Sequence, residues 1–85
     1  MLVPKATKTS LSRLVRAKGY DIPYIRETCI SRVGHSYFLR WIDTDYQPHK
    51  AYYAAIGGKP ELLVDETVHQ LTMAEVIHYG LVAEQ

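Results

Sequence analysis

Seven consecutive residues, Ser36-Tyr37-Phe38-Leu39-Arg40-Trp41-Ile42, hold the chain's only Trp and its only Phe, and no Gly or Pro interrupts them. Five of the seven are aromatic, β-branched or Leu. Such a run fits a pleated, buried surface far better than a helix or a loop. It is read as the central strand of a small sheet around which the rest of the chain must pack. Alternation places Tyr37, Leu39 and Trp41 on one side and Phe38, Arg40 and Ile42 on the other. The first trio is the expected core face. The second, with Phe38 and Ile42 flanking Arg40, is an apolar face left to a partner or a covering loop.

Eighty-five residues support one domain. A chain of this size buries only about 60–65% of the surface its unfolded form exposes, so modest stability is expected. No apolar run approaches the roughly 20 residues of a membrane helix. Met1-Leu2-Val3-Pro4-Lys5 lacks the apolar segment of a signal peptide. The single Cys29 has no internal partner for a disulfide. A cytoplasmic, reducing location without membrane contact is the expectation. Charge is divided unevenly: residues 1–40 carry eight Lys/Arg and two acids, and residues 41–85 carry two Lys and seven acids. That division either marks an anionic partner for the first half or is neutralised by interleaving in the fold.

Residues 1–8 read as a flexible basic arm, and residues 9–85 as a single α+β domain. Thr9 or Ser10 is placed to cap a short helix over about 10–18. Leu11, Leu14, Val15 and Lys18 share its inner stripe, Arg13 and Arg16 project outward, and Gly19 stops it. Residues 25–33 are a first strand candidate with imperfect alternation: Ile25, Cys29 and Val33 share one face and Ile30 points to the other, so a bulge or an edge position is expected. A turn at 33–36 leads into the central strand. Asp43-Thr44-Asp45-Tyr46-Gln47-Pro48-His49 is dense in turn formers. A third strand follows over 50–56, a turn over 57–60 and a fourth strand over 61–64. Residues 65–71 fit either a strand extension or the start of a helix. Thr72-Met73-Ala74-Glu75 has capping-box spacing and opens the last helix, with Met73, Val76 and Ile77 on its inner face and Gly80 as its stop. The expected fold is α+β and two-layered: an N-terminal helix, a three- to four-stranded antiparallel sheet and a C-terminal helix.

Motifs that carry chemistry are sparse. His35, His49, His69, His78 and Cys29 show neither Cys-x-x-Cys nor a His pair at i, i+4, so no metal is expected. Cys29 lies in an apolar strand candidate, which implies a buried, inert thiol rather than a nucleophile. The acid pairs Asp43/Asp45 and Asp65/Glu66 flank turns and are explained by turn chemistry. Gly57-Gly58 is too short for a phosphate loop. No cofactor is expected, and the chain is read as non-enzymatic.

Basic residues interleaved with rings provide phosphate grips and stacking platforms. Pro23-Tyr24, Gly34-His35 and Phe38, within a helix–sheet–helix order, resemble the double-stranded RNA-binding domain. In that family Pro-x-Tyr opens the first strand, and a turn bearing Gly and His precedes an aromatic strand. Here Pro and Tyr are adjacent, and Thr72-Met73-Ala74-Glu75 stands where that family has a basic cluster, so no RNA contacts are carried over. The abundance of Tyr and Arg also suits protein interfaces. The expected function is a small protein-interaction module (inhibitor, adaptor or self-associating subunit) whose partner is another protein or a second copy. Nucleic acid is the alternative partner. The candidate binding residues are Arg13, Arg16, Arg32, Phe38, Arg40 and Ile42.

Overall fold

The computed structural model describes residues 2–23, 26–34, 36–55 and 58–84. The expected roles of Tyr24, Ile25, His35, Ile56 and Gly57 lie outside those residues. The fold is α+β, in the order β1 (Leu2–Pro4), α1 (Lys8–Ala17), β2 (Thr28–Val33), β3 (Ser36–Ile42), β4 (Pro48–Ala54), β5 (Glu61–Val64), β6 (Thr67–Gln70), α2 (Met73–His78) and β7 (Val82–Glu84). Strands β2 to β6 form a five-stranded antiparallel meander in sequence order, and β1 pairs with β7 in a separate two-stranded sheet.

The sheet exceeds the expected three to four strands because residues 65–71 form a further hairpin arm. Asp65 turns the chain with φ +52°, a conformation that Asp tolerates better than most side chains. Thr67–Gln70 then return along β5. At the amino end Leu2–Pro4, part of the expected arm, are ladder-paired to Val82–Glu84. The five-stranded sheet between the helices departs from the RNA-binding-domain likeness suggested by residues 23–38.

Helix α1 starts two residues before the expected boundary, and its cap is Thr7 rather than Thr9 or Ser10. The Ser10 N–H donates to Thr7 Oγ1 (3.1 Å) and the Thr7 N–H to Ser10 Oγ (2.9 Å), so two orphan donors are satisfied reciprocally. Leu11, Leu14 and Val15 are fully buried. Lys18 lies at the edge of that stripe and reaches Glu75 at 2.6 Å. At α2 the expected box forms: the Glu75 N–H donates to Thr72 Oγ1 and the Thr72 N–H to Glu75 Oε1, each at 3.1 Å. Gly19 (φ +99°) and Gly80 (φ +71°) close the two helices in the left-handed region, as expected. The inner face of α2 is corrected. Val76 is buried, but Met73 and Ile77 are exposed, Ile77 at 58%. The helix is rotated so that Val76 and half-buried Tyr79 face the core.

A single core lies on one face of the five-stranded sheet. Leu39, Trp41, Ala51, Tyr53, Leu62 and Val64 meet Leu11, Leu14 and Val15 of α1, together with Ile22, Leu71, Val76 and Leu81. The Tyr53 hydroxyl donates to the Leu81 carbonyl at 2.7 Å. Burial pushes its pKa up to about 12, with a smaller contribution from Tyr37. The first strand is also corrected. Ile30 is the residue packed against the core, whereas Cys29 and Val33 are exposed on the other side. The thiol expected to be buried is therefore open to solvent.

Candidate functional site

The opposite face of the five-stranded sheet carries no covering element among the described residues. Every buried side chain of α1 and α2 in the core cluster is on the inner side. Register shows which residues belong to the opposite face, among which Ser36 and Ala54 are nonetheless buried. One row runs Ser31–Phe38–Tyr52–Leu63–Val68 across all five strands. A parallel row is Cys29–Arg40–Lys50, and on the other flank lies Val33–Ser36–Ala54–Glu61–Gln70. Phe38 and Tyr52 meet edge-to-face with centroids 4.7 Å apart, a favourable quadrupole arrangement. The Tyr52 hydroxyl and Ser36 Oγ share a hydrogen bond of 2.6 Å, which fixes the Tyr52 ring. Phe38, Tyr52 and Leu63 are half-buried, while Val68 and Val33 are 53% and 63% exposed. Alternation alone dictates this face, because a strand whose odd residues enter the core must present its even residues outward.

At one end of the sheet a second cluster forms around Trp41. Trp41 is 3% exposed and its ring stacks on His49, its cross-strand neighbour, at 5.4 Å and 18°. Trp41 Nε1 has no hydrogen-bond partner among the described residues. His49 is clamped at both nitrogens, Nδ1 to Asp65 Oδ2 and Nε2 to Asp43 Oδ2, each at 2.7 Å. These bonds, Asp65 first and Asp43 second, hold the imidazole above its ordinary pKa of 6.5. Asp43 lies below its ordinary 3.8, chiefly because its other oxygen accepts the Gln47 N–H and then because of His49. A groove of about 580 Å³ opens beside this cluster, lined in part by Glu27, Cys29, Arg40, Trp41, Ile42 and Lys50. A general base needs a free ring nitrogen within reach of a substrate proton. With both nitrogens facing carboxylates, His49 is suited to tie the β3–β4 turn to the start of the β5–β6 turn. Among the described residues no three His, Cys, Asp or Glu side chains are grouped so as to hold a metal ion.

The six expected binding residues divide between the two sides. Phe38, Arg40 and Ile42 share the open face, with Arg40 and Ile42 at the groove. Arg13 and Arg16 are exposed on α1, as its periodicity implies. Arg13 lies over the Tyr79 ring at 5.6 Å and Arg16 donates to the Ile22 carbonyl. Arg32 lies over Tyr37 at 5.9 Å on the core-facing side of β2. The structure thus unites three of the six and separates the others. Tyr52, Leu63 and Val68 were missed. The alternation of 50–56 and 61–64 held the signal for the first two, through Phe38 as cross-strand neighbour.

No family model matches the chain. No curated protein and no solved structure gives a significant match. No helix among the described residues is long and apolar enough to cross a membrane.

Proposed function

We propose that this protein is a non-enzymatic protein-interaction module whose working surface is the open face of the five-stranded sheet. One observation carries the reading: a continuous row, Phe38–Tyr52–Leu63–Val68, has no covering element among the described residues, on a sheet whose other face carries the core. A contiguous apolar patch rimmed by polar side chains is how soluble proteins present an interface. The balance of charge on that face favours protein over nucleic acid. Arg40 and Lys50 are accompanied by Glu27 at the groove and Glu61 on the opposite flank. A phosphate backbone selects clustered cations without such acids. Outside this face Arg13, Arg16, Lys18, Arg26 and Arg32 contact Tyr79, Ile22, Glu75, Tyr46 and Tyr37 respectively.

The test is site-specific photo-crosslinking in cells that express the chain, with a benzophenone amino acid replacing Phe38 or, separately, Arg13. Protein adducts concentrated at position 38 are expected. Adducts to RNA or DNA, or none at position 38, would overturn the reading.

A further inference from the structure

We infer that His49 is a proton-operated clasp: with both ring nitrogens protonated it bridges Asp43 and Asp65, and when one proton leaves it keeps Asp43 and releases Asp65. The clasp sits at one end of the sheet and works whatever covers the open face.

An ionised carboxylate only accepts hydrogen bonds, and a neutral imidazole carries a single N–H. His49 Nδ1 lies 2.7 Å from Asp65 Oδ2, and Nε2 lies 2.7 Å from Asp43 Oδ2. Both contacts are hydrogen bonds only if both nitrogens donate, so this geometry is that of the imidazolium. Without the second proton a nitrogen lone pair faces a carboxylate oxygen at that distance, and one contact must open. The surroundings favour the charged ring. Trp41 stacks on it and offers the negative face of its π-system. Glu27, Cys29, Arg40 and Lys50 line the groove beside it, and Tyr20, Asp21 and Asp45 share a smaller cavity with it. With Asp43 and Asp65 included, five acids stand against two cations.

Which contact opens follows from how each carboxylate is otherwise held. Asp43 Oδ1 accepts the Asp45 N–H at 2.8 Å and the Gln47 N–H at 3.0 Å, and its side chain is 24% exposed. Asp65 Oδ1 accepts the Lys50 N–H at 3.2 Å, and its side chain is 43% exposed. Asp65 therefore gives up less on release and regains water more readily. The Nδ1 proton passes to solvent, and Nε2–H stays on Asp43. The two bonds also hold the ring above its ordinary 6.5, so release falls above that pH. Asp65 lines the groove that carries Arg40 and Lys50, and the proton on His49 thereby sets one of the groove's walls.

Asp65→Asn separates this clasp from a merely structural tie. An asparagine amide can turn its NH2 to a bare Nδ1 and its oxygen to the Lys50 N–H. Asn also tolerates the positive φ of position 65. The variant is expected to stay closed on a neutral His49. The readouts are the ring nitrogen chemical shifts of His49 and the exchange protection of the Lys50 amide, corrected for intrinsic rate, below and above the His49 titration. In the wild type both ring N–H groups are expected below the titration and Nε2–H alone above it. Lys50 protection is expected to fall about tenfold on crossing it, as the loss of one charge-assisted hydrogen bond implies. Asp65→Asn is expected to titrate at lower pH and to keep its Lys50 protection. His49→Gln, which cannot titrate, is expected to show no step. A ring that is neutral throughout, Nδ1–H as the surviving tautomer, or a Lys50 step that persists in either variant would overturn the inference.

Discussion

The two faces of the five-stranded sheet are made by the same strands from alternate residues, yet they have opposite fates. Inward, Leu39, Ala51, Tyr53, Leu62 and Val64 are fully buried beneath α1, Val76 and Leu81. Outward, Phe38, Tyr52, Leu63 and Val68 form as regular a row, with no covering element among the described residues. The inner face is used up in folding. The outer face keeps apolar area whose removal from water is still available to association. An 85-residue chain has little such area to leave unused.

The comparison breaks if the outer row supports the monomer as strongly as the inner. Trp41→Ala and Tyr53→Ala are expected to destabilise by about 3–5 kcal/mol in urea unfolding, as large aromatic truncations in cores do. Phe38→Ala is expected to cost about 1 kcal/mol, since its half-exposed ring yields only part of the transfer free energy. Trp41 emission in the folded state is expected to be blue-shifted and to move red on unfolding; a solvent-like spectrum before unfolding would contradict its burial.

Tyr53→Phe sharpens the inner side. The variant keeps the ring and loses one buried hydrogen bond, for about 1 kcal/mol. The Leu81 carbonyl still accepts the Lys5 N–H at 3.0 Å, so no acceptor is orphaned, and a much larger loss would mean that the hydroxyl does more than anchor Leu81.

A smaller effect separates the two ends of the sheet by pH. His49 is raised above 6.5 by Asp65 and Asp43. Its contribution to stability is fully present below pH 6.5 and is lost as pH rises through the raised value. Asp43 is lowered, so its contribution is present above 3.8 and is lost as pH falls through its folded value. The melting temperature of the wild type is expected to decline as pH rises above 6.5. His49→Gln is expected to remove that decline, and an unchanged profile would remove the clamp from the stability argument.

The smallest effect belongs to α1. Arg13→Ala with Arg16→Ala is expected to change stability by less than about 0.5 kcal/mol, as exposed substitutions do. Binding of duplex or single-stranded oligonucleotides at low salt, with a salt slope flattened by the double variant, would revive the nucleic-acid alternative.

The most legible elements were those with a local signal. Ser36–Ile42 reads as a strand from its composition, and its two faces follow from its period. Thr72 and Glu75 announce α2 by their spacing alone. Where the signal was non-local, the reading slipped. Thr67–Gln70 has weak alternation and is a strand because β5 offers it an edge. Cys29 was assigned inward because Ile25 and Val33 share its parity, and a period of two turns one wrong choice into an inverted face. The helix α2 has only six residues, too few for Met73 and Ile77 to reveal which side meets the sheet. The His49 clamp was invisible because Asp43 and Asp65 reach the imidazole from two different turns. Arg13, Arg16 and Arg32 were grouped with Phe38 as cations of the basic first half beside the strand aromatics, a grouping the fold does not preserve.

The pairing of β1 with β7 has a consequence for the order of events in folding. Each ladder of the meander joins sequence neighbours, so it can zip hairpin by hairpin on the microsecond scale typical of such units. Leu2 meets Glu84 across nearly the whole chain, and closing so long a loop is slow and entropically costly until the meander has drawn its ends together. The two three-residue strands are therefore a latch that shuts last and opens first. Their amides should exchange with solvent through local opening while those of Leu39 and Tyr53 wait for global unfolding.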